Sequence, residues 1–167
     1  MDNQYCMKCG TQMNWHLVEN RQREVCPACG WIHYQHLKVA VAAQIELFGR
    51  LLLLQRAEEP WKDYWNLPAG YVEVDEPLEM AVVREAREET GLDVIAVHLV
   101  GDYYFDDDPR GNGLLLVFSA EILTGRVRTN KESRKAKYFS PDSLPDKICG
   151  AGHRRAVEMW KLKKLSA

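Results

Sequence analysis

Apolar and polar residues are distributed along the chain in a way that predicts several strands. Residues 39–46 are almost continuously apolar, which is typical of a buried strand, and a turn at 48–50 leads into a second strand at 51–55. Three later segments have a similar strand-like character: 94–100, 114–122 and 136–139. Asn112-Gly113 is a turn signal, so we expect the first two of these three strands to form a hairpin.

Two helices are predicted from apolar residues that repeat at helical spacing. The first follows Pro77 and has Leu78, Ala81, Val82 and Ala86 on one face, and Gly91 can end it in the left-handed conformation. The second covers about 152–165 and is expected to cap the domain. On its inner side we expect Val157, Trp160 and Leu165. On its outer side we expect His153, Arg154, Arg155, Lys161, Lys163 and Lys164.

The end of the first helix carries a concentration of negative charge. Glu85, Glu88 and Glu89 fall at i, i+3 and i+4, so their carboxylates share one face. Like charges at this spacing repel, and the C-terminal end of a helix already has partial negative charge. Hard oxygen ligands suit Mg²⁺ or Mn²⁺, and the alternative is a solvated acidic face.

The cysteines predict a zinc site near the N-terminus. Four of the five form two pairs, Cys6-x-x-Cys9 and Cys26-x-x-Cys29, each followed by glycine. This spacing is typical of a tetrahedral Cys₄ site, and two disulfides are the alternative. The segment between the pairs is too polar to fold by burial alone, so we expect Zn²⁺ to stabilise it. Cys149 is expected to be a small buried residue.

Length and charge limit the classes of function. The chain has 167 residues and a net charge of -2, so it has no general attraction to nucleic acid or to an anionic membrane. The apolar stretch 39–54 is interrupted by Gln44, Glu46 and Arg50, which excludes a membrane span there. The polar start of the sequence is unlike a signal peptide. We expect a soluble, cytoplasmic protein.

One spacing pattern carries a family resemblance. The pattern is Gly70, five residues, Glu76, seven residues, Arg84-Glu85-Ala86, one residue, Glu88-Glu89, one residue, Gly91-Leu92. It resembles the Nudix box at every specified position. The preceding segment, Trp65-Asn66-Leu67-Pro68-Ala69, is also similar to the family's entry into this box. The chain is therefore identified as a member of the Nudix hydrolase family.

The resemblance implies an α/β fold, namely the Nudix α/β/α sandwich with a mixed sheet. A small zinc ribbon would precede it, with residues 1–34 as the ribbon and 35–167 as the Nudix domain. Similar ribbons precede this domain in NADH pyrophosphatases and in a plant-type group that hydrolyses FAD. Many relatives are dimers, so a homodimer is expected.

The resemblance also implies roles for the residues of the box. Glu85 and Glu89 would be the main ligands of Mg²⁺ or Mn²⁺, Glu88 would complete the cluster, and a backbone carbonyl of Ala69 or Gly70 would add a ligand. Arg84 would orient these glutamates. Glu76 would support the loop, and Gly70 and Gly91 would serve the backbone.

Glu132 is a further candidate for the catalytic site. It lies six residues before Tyr138-Phe139, which resembles a family glutamate that binds metal or activates water. A plain surface residue is the alternative. Many relatives have a second acidic residue three positions later, where this chain has Lys135.

Substrate contacts are predicted in the segment before the box. Arg56, Trp61 and Tyr64 are the candidates, since the two aromatic residues could stack on a nucleobase or pack the loop. Trp65 is expected to pack. The acidic run 106–108 is expected to be a solvated loop tip.

The resemblance implies cleavage of a nucleoside diphosphate linked to a group X, giving a nucleoside monophosphate and phospho-X. Bacterial NADH pyrophosphatases carry a Gln-Pro-Trp-Pro-Phe-Pro run after the box that is missing from 97–108, which favours ADP-ribose or FAD over NADH. Two alternatives are open. One is pyrophosphate removal from nucleoside triphosphates. The other is a non-catalytic nucleotide sensor whose ribbon binds nucleic acid or a partner. Nucleic acid is not expected as a partner of the enzyme.

Overall fold

The computed structural model describes residues 4–166, and its chain divides into two compact units. The division falls after His36, two residues beyond the boundary that we predict from the sequence. Among the described residues, no helix has both the length and the apolar character needed to cross a membrane.

The first unit is a small ribbon with a minimal core. It contains the antiparallel strands β1 (Asn14–Val18), β2 (Arg21–Val25) and β3 (Ile32–His33) in that order. The buried apolar side chains are Cys6, Met13 and Cys26, with Trp31 packed against them. Such a core stabilises little by burial, which agrees with the expected need for a metal.

The second unit contains seven strands and two α-helices. The strands are β4 (Lys38–Leu47), β5 (Arg50–Arg56), β6 (Trp65–Asn66), β7 (Ala69–Tyr71), β8 (Leu92–Phe105), β9 (Gly113–Gly125) and β10 (Ser133–Phe139). The helices are α1 (Leu78–Thr90) and α2 (Ala151–Leu165), and Pro141–Ser143 forms a 3₁₀ turn.

The strands of this unit form one mixed sheet. The order is β10-β5-β4-β9-β8, with β6 beside β5 and β7 beside β4. Strands β4 and β9 pair in parallel, and the other pairs are antiparallel. Strand β4 is central, as its continuous apolar character predicts.

Side chains on opposite faces of the sheet pack against different helices. On β5, Leu52 belongs to the cluster that contains Ala81, Val82 and Ala86 of α1. Leu53 points the other way, into the cluster that contains Trp160 of α2. Two apolar layers thus enclose the sheet, and the predicted α/β/α sandwich with a mixed sheet is confirmed.

Strands β8 and β9 are longer than the sequence predicts. They pair from Leu92 with Gly125 to Phe105 with Gly113, and three register shifts interrupt the pairing. Backbone pairing continues through polar and aromatic residues such as Asp102 and Tyr104, which do not show a strand pattern. The loop between the strands therefore shrinks to 106–112.

Most side chains of α2 face the way their apolar spacing predicts. Val157 and Trp160 are buried, but the prediction for Leu165 is wrong, since it is 60% exposed in the last turn, beyond the sheet-facing cluster. The predicted packing role of Trp65 is confirmed, because its ring meets Phe139 edge-on at 4.8 Å.

Candidate active site and cysteine cluster

Strand β7 lies against the acidic face of α1. The Ala69 N–H donates a hydrogen bond of 2.9 Å to Glu89 Oε2. A Cβ atom at Gly70 would overlap the Glu85 carboxylate. Any larger residue at position 70 would therefore displace Glu85, which gives the predicted backbone role of Gly70 a steric reason.

Arg84 is the centre of an ion-pair network beside these carboxylates. Its Nη1 donates to Glu85 Oε1 over 2.6 Å and lies 3.5 Å from Glu88 Oε2. Its Nη2 and Nε donate to the two oxygens of Glu76 over 2.5 and 3.0 Å, and Nη2 also donates to the Tyr71 carbonyl. The guanidinium therefore ties the loop before α1 to the glutamates of the helix.

Glu76 is held in its ionised form by this network. The hydrogen bonds from Arg84 lower the pKa of Glu76 to about 2, and the Glu73 N–H contributes to the same shift. In turn, Glu76 and Glu85 raise the pKa of Arg84. These contacts agree with a supporting role for Glu76 rather than a contact with substrate.

The glutamates closest to β7, Glu85 and Glu89, have raised rather than lowered pKa values. Burial raises the pKa of Glu89 to about 8, against the Ala69 hydrogen bond, and the charges of Glu85 and Glu132 raise it further. Burial also raises the pKa of Glu85, although Arg84 opposes this shift. Both carboxylates would be ionised at neutral pH more readily with a cation between them.

The acidic face therefore fits a divalent cation. Glu89 is 7% exposed, Glu85 is largely buried and Glu88 is open to solvent, and all three line one cavity. Carboxylate oxygens are the ligands that Mg²⁺ and Mn²⁺ prefer. Within residues 4–166 these oxygens are less tightly gathered than the cysteine sulfurs, because Arg84 draws Glu85 and Glu88 toward itself.

Glu132 reaches the same cavity from the loop before β10. Its backbone N–H donates to Asn130 Oδ1 over 2.9 Å, and its carbonyl accepts from the Ala57 N–H over 2.7 Å. Asn130 also donates to the Glu88 carbonyl over 3.3 Å. The loop is thereby fastened both to the end of β5 and to α1.

The cavity has a volume of about 320 Å³, which is in the range of small-molecule sites. It opens between the acidic face of α1, the sheet and the start of α2. Its lining residues are Ala40, Arg56, Trp61, Asn66, Ala69, Gly70, Tyr71, Glu85, Glu88, Glu89, Phe105, Asp107, Asp108, Arg110, Leu115, Asn130, Glu132, Cys149, Gly150, Gly152 and His153.

Two of the three predicted substrate contacts lie in this lining. Arg56 and Trp61 are there, and Arg56 Nε donates to the Pro60 carbonyl over 2.9 Å. Tyr64 is not among the described residues that line the cavity. Its ring packs edge-on against Trp61 at 5.5 Å.

The wall opposite α1 contains residues that the sequence interpretation missed. His153 lines the cavity and has its Nδ1 buried, so its expected position on the outer side of α2 is wrong. It is spaced four and seven residues from Val157 and Trp160, a helical pattern that could have placed it inside. Cys149 is buried, as expected, and burial raises its pKa to about 12.

The acidic run 106–108 is more than the solvated tip that we predict. Asp108 accepts two hydrogen bonds from the Arg110 guanidinium, at 2.9 and 2.7 Å, and Arg110 lowers its pKa. Asp107 Oδ1 accepts the Ala151 N–H over 3.0 Å. Both carboxylates therefore have fixed partners at the edge of the cavity.

The ribbon unit contains the second candidate metal centre. The Sγ atoms of Cys6, Cys9, Cys26 and Cys29 all lie within 4.8 Å of one another. The Cys6–Cys29 and Cys9–Cys26 sulfurs are 3.6 and 3.4 Å apart. A tetrahedral site with Zn–S bonds of about 2.3 Å separates its sulfurs by about 3.8 Å, so the cluster fits Zn²⁺. None of these cysteines is in a disulfide.

Two relatives of known activity resemble this chain. An ADP-ribose pyrophosphatase from Methanocaldococcus jannaschii is 39% identical over 113 residues, which is 67% of each chain. An NAD-capped RNA hydrolase, NudC, from Pseudomonas aeruginosa is 32% identical over 145 residues. That match covers 86% of this chain but only 50% of the relative, so this chain spans about half the length of NudC.

Family profiles and a solved structure agree with these matches. A NUDIX hydrolase from Nitrosomonas europaea has a TM-score of 0.79 and 28% identity, over 94% of this chain and 90% of the other. The Nudix N-terminal zinc-ribbon profile matches residues 4–35, and the NUDIX domain profile matches residues 35–160. The chain therefore belongs to the Nudix family.

Proposed function

We propose that this chain hydrolyses the diphosphate linkage of a nucleoside diphosphate attached to a group X, giving a nucleoside monophosphate and phospho-X. The observation that carries the proposal is the acidic face of α1, oriented by Arg84 and open to a cavity of suitable size. ADP-ribose and the NAD cap, the substrates named for the two relatives, both contain this linkage.

The residues of the acidic face would hold the metal. Glu85, Glu88 and Glu89 would bind Mg²⁺ or Mn²⁺, and a backbone carbonyl of Ala69 or Gly70 would add a ligand. When bound, the ion neutralises charge on the diphosphate oxygens and polarises water.

The other residues of the cavity would orient the substrate and move one proton. The oxygen of a water attacks one phosphorus, the bond from that phosphorus to the bridging oxygen breaks, and the leaving phosphate keeps the electron pair. Glu132, which faces the same cavity, is the candidate that receives the proton of the water. Arg56 would bind phosphate oxygens, and Trp61 would contact the ring of the nucleotide.

Further predictions concern the whole molecule. Cys6, Cys9, Cys26 and Cys29 would bind one structural Zn²⁺. The domain limits 1–34 and 35–167, a homodimer and a cytoplasmic location also stay predictions. Metal analysis, light scattering and cell fractionation test the zinc, the dimer and the location, respectively.

The reaction is tested by incubating the full chain separately with Mg²⁺ or Mn²⁺ and candidate substrates. These are ADP-ribose, FAD, NADH, NAD, an NAD-capped RNA and the common nucleoside triphosphates. Products are identified by mass, and ¹⁸O-water marks the phosphorus that is attacked. AMP from ADP-ribose or from a dinucleotide supports the proposal, whereas pyrophosphate from triphosphates alone would establish the first alternative.

A matched pair of variants tests whether the activity depends on the acidic face of α1. Glu89→Gln removes a buried carboxylate of the acidic face, and we expect kcat to fall by about a hundredfold or more. Glu79→Gln makes the same chemical change in the exposed first turn of α1 and should leave kcat unchanged. Equal activity of the two variants would contradict the proposed site.

RNA requires its own comparison. The sequence alone gives no reason to expect nucleic acid, but NudC is named for NAD-capped RNA. Hydrolysis of the capped RNA with a kcat/KM above that of free NAD would show that the RNA part contributes to binding. Nucleic-acid binding that survives removal of Mg²⁺, without any hydrolysis, would instead favour a sensor.

A further inference from the structure

The cavity contains a buried acceptor that has no hydrogen-bond partner among residues 4–166. Asn66 is only 4% exposed, yet its Oδ1 has no hydrogen bond among the described residues. Its Nδ2 donates to the Leu67 carbonyl over 2.8 Å. That bond fixes the amide orientation, so the oxygen is the atom that needs a donor. A buried acceptor of this kind is unfavourable unless something binds it.

His153 supplies a second polar atom to the same cavity. Its buried Nδ1 also has no hydrogen-bond partner among residues 4–166. Burial lowers the pKa of His153 to about 4, and Arg56 lowers it further, so the ring is neutral at physiological pH. A neutral imidazole can donate one hydrogen bond and accept another.

The backbone connections explain why Asn66 and His153 share a cavity. Trp65, the neighbour of Asn66, donates to the Lys147 carbonyl and accepts from the Cys149 N–H, both over 2.8 Å. Helix α2 begins two residues after Cys149, and His153 lies in its first turn. Strand β6 and the start of α2 thus form one wall.

The start of α2 in this wall is already occupied by a carboxylate. The start of a helix attracts anions, but here the Asp107 carboxylate already accepts the Ala151 N–H. The apolar side chains beside it, Phe105 and Leu115, flank Gly152, where an added Cβ would touch both. The wall therefore combines apolar side chains with the two unpaired polar atoms of Asn66 and His153.

We propose that Asn66 and His153 form a subsite for a neutral ring edge that carries an amino group beside a hydrogen-bond acceptor. The amino group would donate to Asn66 Oδ1, and Nδ1–H of His153 would donate to the acceptor. Adenine and cytosine carry such an edge, and so does the carboxamide of nicotinamide. The subsite rests on the proposed function only for the placement of the diphosphate at the acidic face.

The subsite predicts selectivity between matched ligands. Hypoxanthine and uracil present a carbonyl oxygen where adenine and cytosine present the amino group. That oxygen would face Asn66 Oδ1, which cannot turn without losing its bond to Leu67. An unpaired buried polar group lowers affinity by about tenfold or more.

Calorimetric titration of the full chain tests the subsite without depending on hydrolysis. The probes are three pairs: AMP with IMP, CMP with UMP, and nicotinamide mononucleotide with its carboxylate counterpart. We expect the first member of at least one pair to bind about tenfold more tightly. The pair that discriminates tells whether the edge belongs to a base or to a carboxamide.

Variants test whether Asn66 and His153 cause the preference for one ligand of a pair. In Asn66→Leu and in His153→Phe the preference should fall below about threefold. Asn112→Leu and His98→Phe make the same changes at exposed positions outside the cavity and should keep it. If Asn66→Leu does not fold, the ligand preference of His153→Phe alone decides whether the subsite exists.

The outcomes separate the two proposals. Selective binding without hydrolysis of any diphosphate would contradict the proposed function and support the subsite. Hydrolysis without preference in any pair, or a preference that both variants retain, would overturn the subsite. Failure of all six probes to bind would overturn it as well.

Discussion

The ribbon and the second unit of this chain are each stabilised in a different way. The second unit encloses its sheet between two apolar clusters, and side chains such as Val41, Leu52 and Leu53 have no exposure to solvent. The ribbon buries little besides Met13 and two of its own cysteines. Burial of apolar surface stabilises the second unit, whereas we expect the ribbon to depend on a cation bound by its four cysteine sulfurs.

This difference teaches where each unit tolerates change. A unit held by one metal should fail at once when a ligand is lost. A unit held by many apolar contacts should weaken in proportion to the contact removed. Four changes, taken from the largest expected effect to the smallest, test that contrast.

Loss of one thiolate should unfold the ribbon. For Cys26→Ser we expect loss of bound Zn²⁺, because structural zinc contributes on the order of 10 kcal/mol to folding. In ¹H–¹⁵N NMR spectra the ribbon signals should lose dispersion while those of the second unit remain. Cys149→Ser, a cysteine outside the cluster, should retain one zinc per chain. Full zinc content in Cys26→Ser would refute the metal-dependent half of the comparison.

Removal of core volume should weaken the second unit by a finite amount. Leu53 is fully buried between the sheet and α2, so Leu53→Ala should cost about 2–5 kcal/mol in the free energy of unfolding. Denaturant titration measures this cost, and zinc content should not change. Leu17→Ala, an exposed leucine of the ribbon, serves as control. A cost under about 1 kcal/mol for Leu53→Ala would contradict the expected packing.

Alanine should destabilise the protein more at the left-handed end of α1 than at an open turn with the same backbone conformation. Gly91 has φ of 69° and Gly49 has φ of 71°, so alanine at either position costs about 1–2 kcal/mol. A Cβ at Gly91 would also meet the Arg128 side chain, while the space around Gly49 is open. We expect Gly91→Ala to lower the melting temperature more than Gly49→Ala. Equal shifts would show that Arg128 moves away freely.

Acid should weaken the second unit partly through Glu76. Its pKa falls from the ordinary value of 4.5 to about 2 on folding, so the stabilisation is present above pH 4.5 and is lost as the pH falls toward 2. In Glu76→Gln the melting temperature of this unit should depend less on pH in that window. Glu79→Gln should behave like the parent chain, and an unchanged pH profile in Glu76→Gln would exclude the Arg84 pair as the cause.

Local spacing predicted the parts of the site that lie close together in sequence. Glu85, Glu88 and Glu89 share one turn of helix, and the two cysteine pairs each form a compact knuckle, so spacing alone brings their side chains together. The left-handed Gly91 was predictable for the same reason. The roles of these residues in catalysis and zinc binding stay predictions that the variants above address.

The opposite wall of the cavity depends on the topology and could not be predicted from local patterns. Asn66, Asp107 and His153 come from three distant parts of the sequence. The bridge between Trp65 and Ile148 brings the first and the last to one wall, and the local sequence of these two segments does not predict that they pair. His153 was assigned to the outer side of α2 because it is polar, although its spacing from Val157 and Trp160 places it on the inner side.

Two of the three register shifts between β8 and β9 leave an extra residue in β8, which has a consequence for how the protein behaves in a crowded solution. Among the described strands β8 lies at the edge of the sheet, and Ile95, Val97 and Leu99 on it are half exposed. A flat apolar edge would invite strands of other chains to add to it. Bulges twist and interrupt such an edge, so we expect the irregular pairing of β8 to lower the tendency of the protein to aggregate.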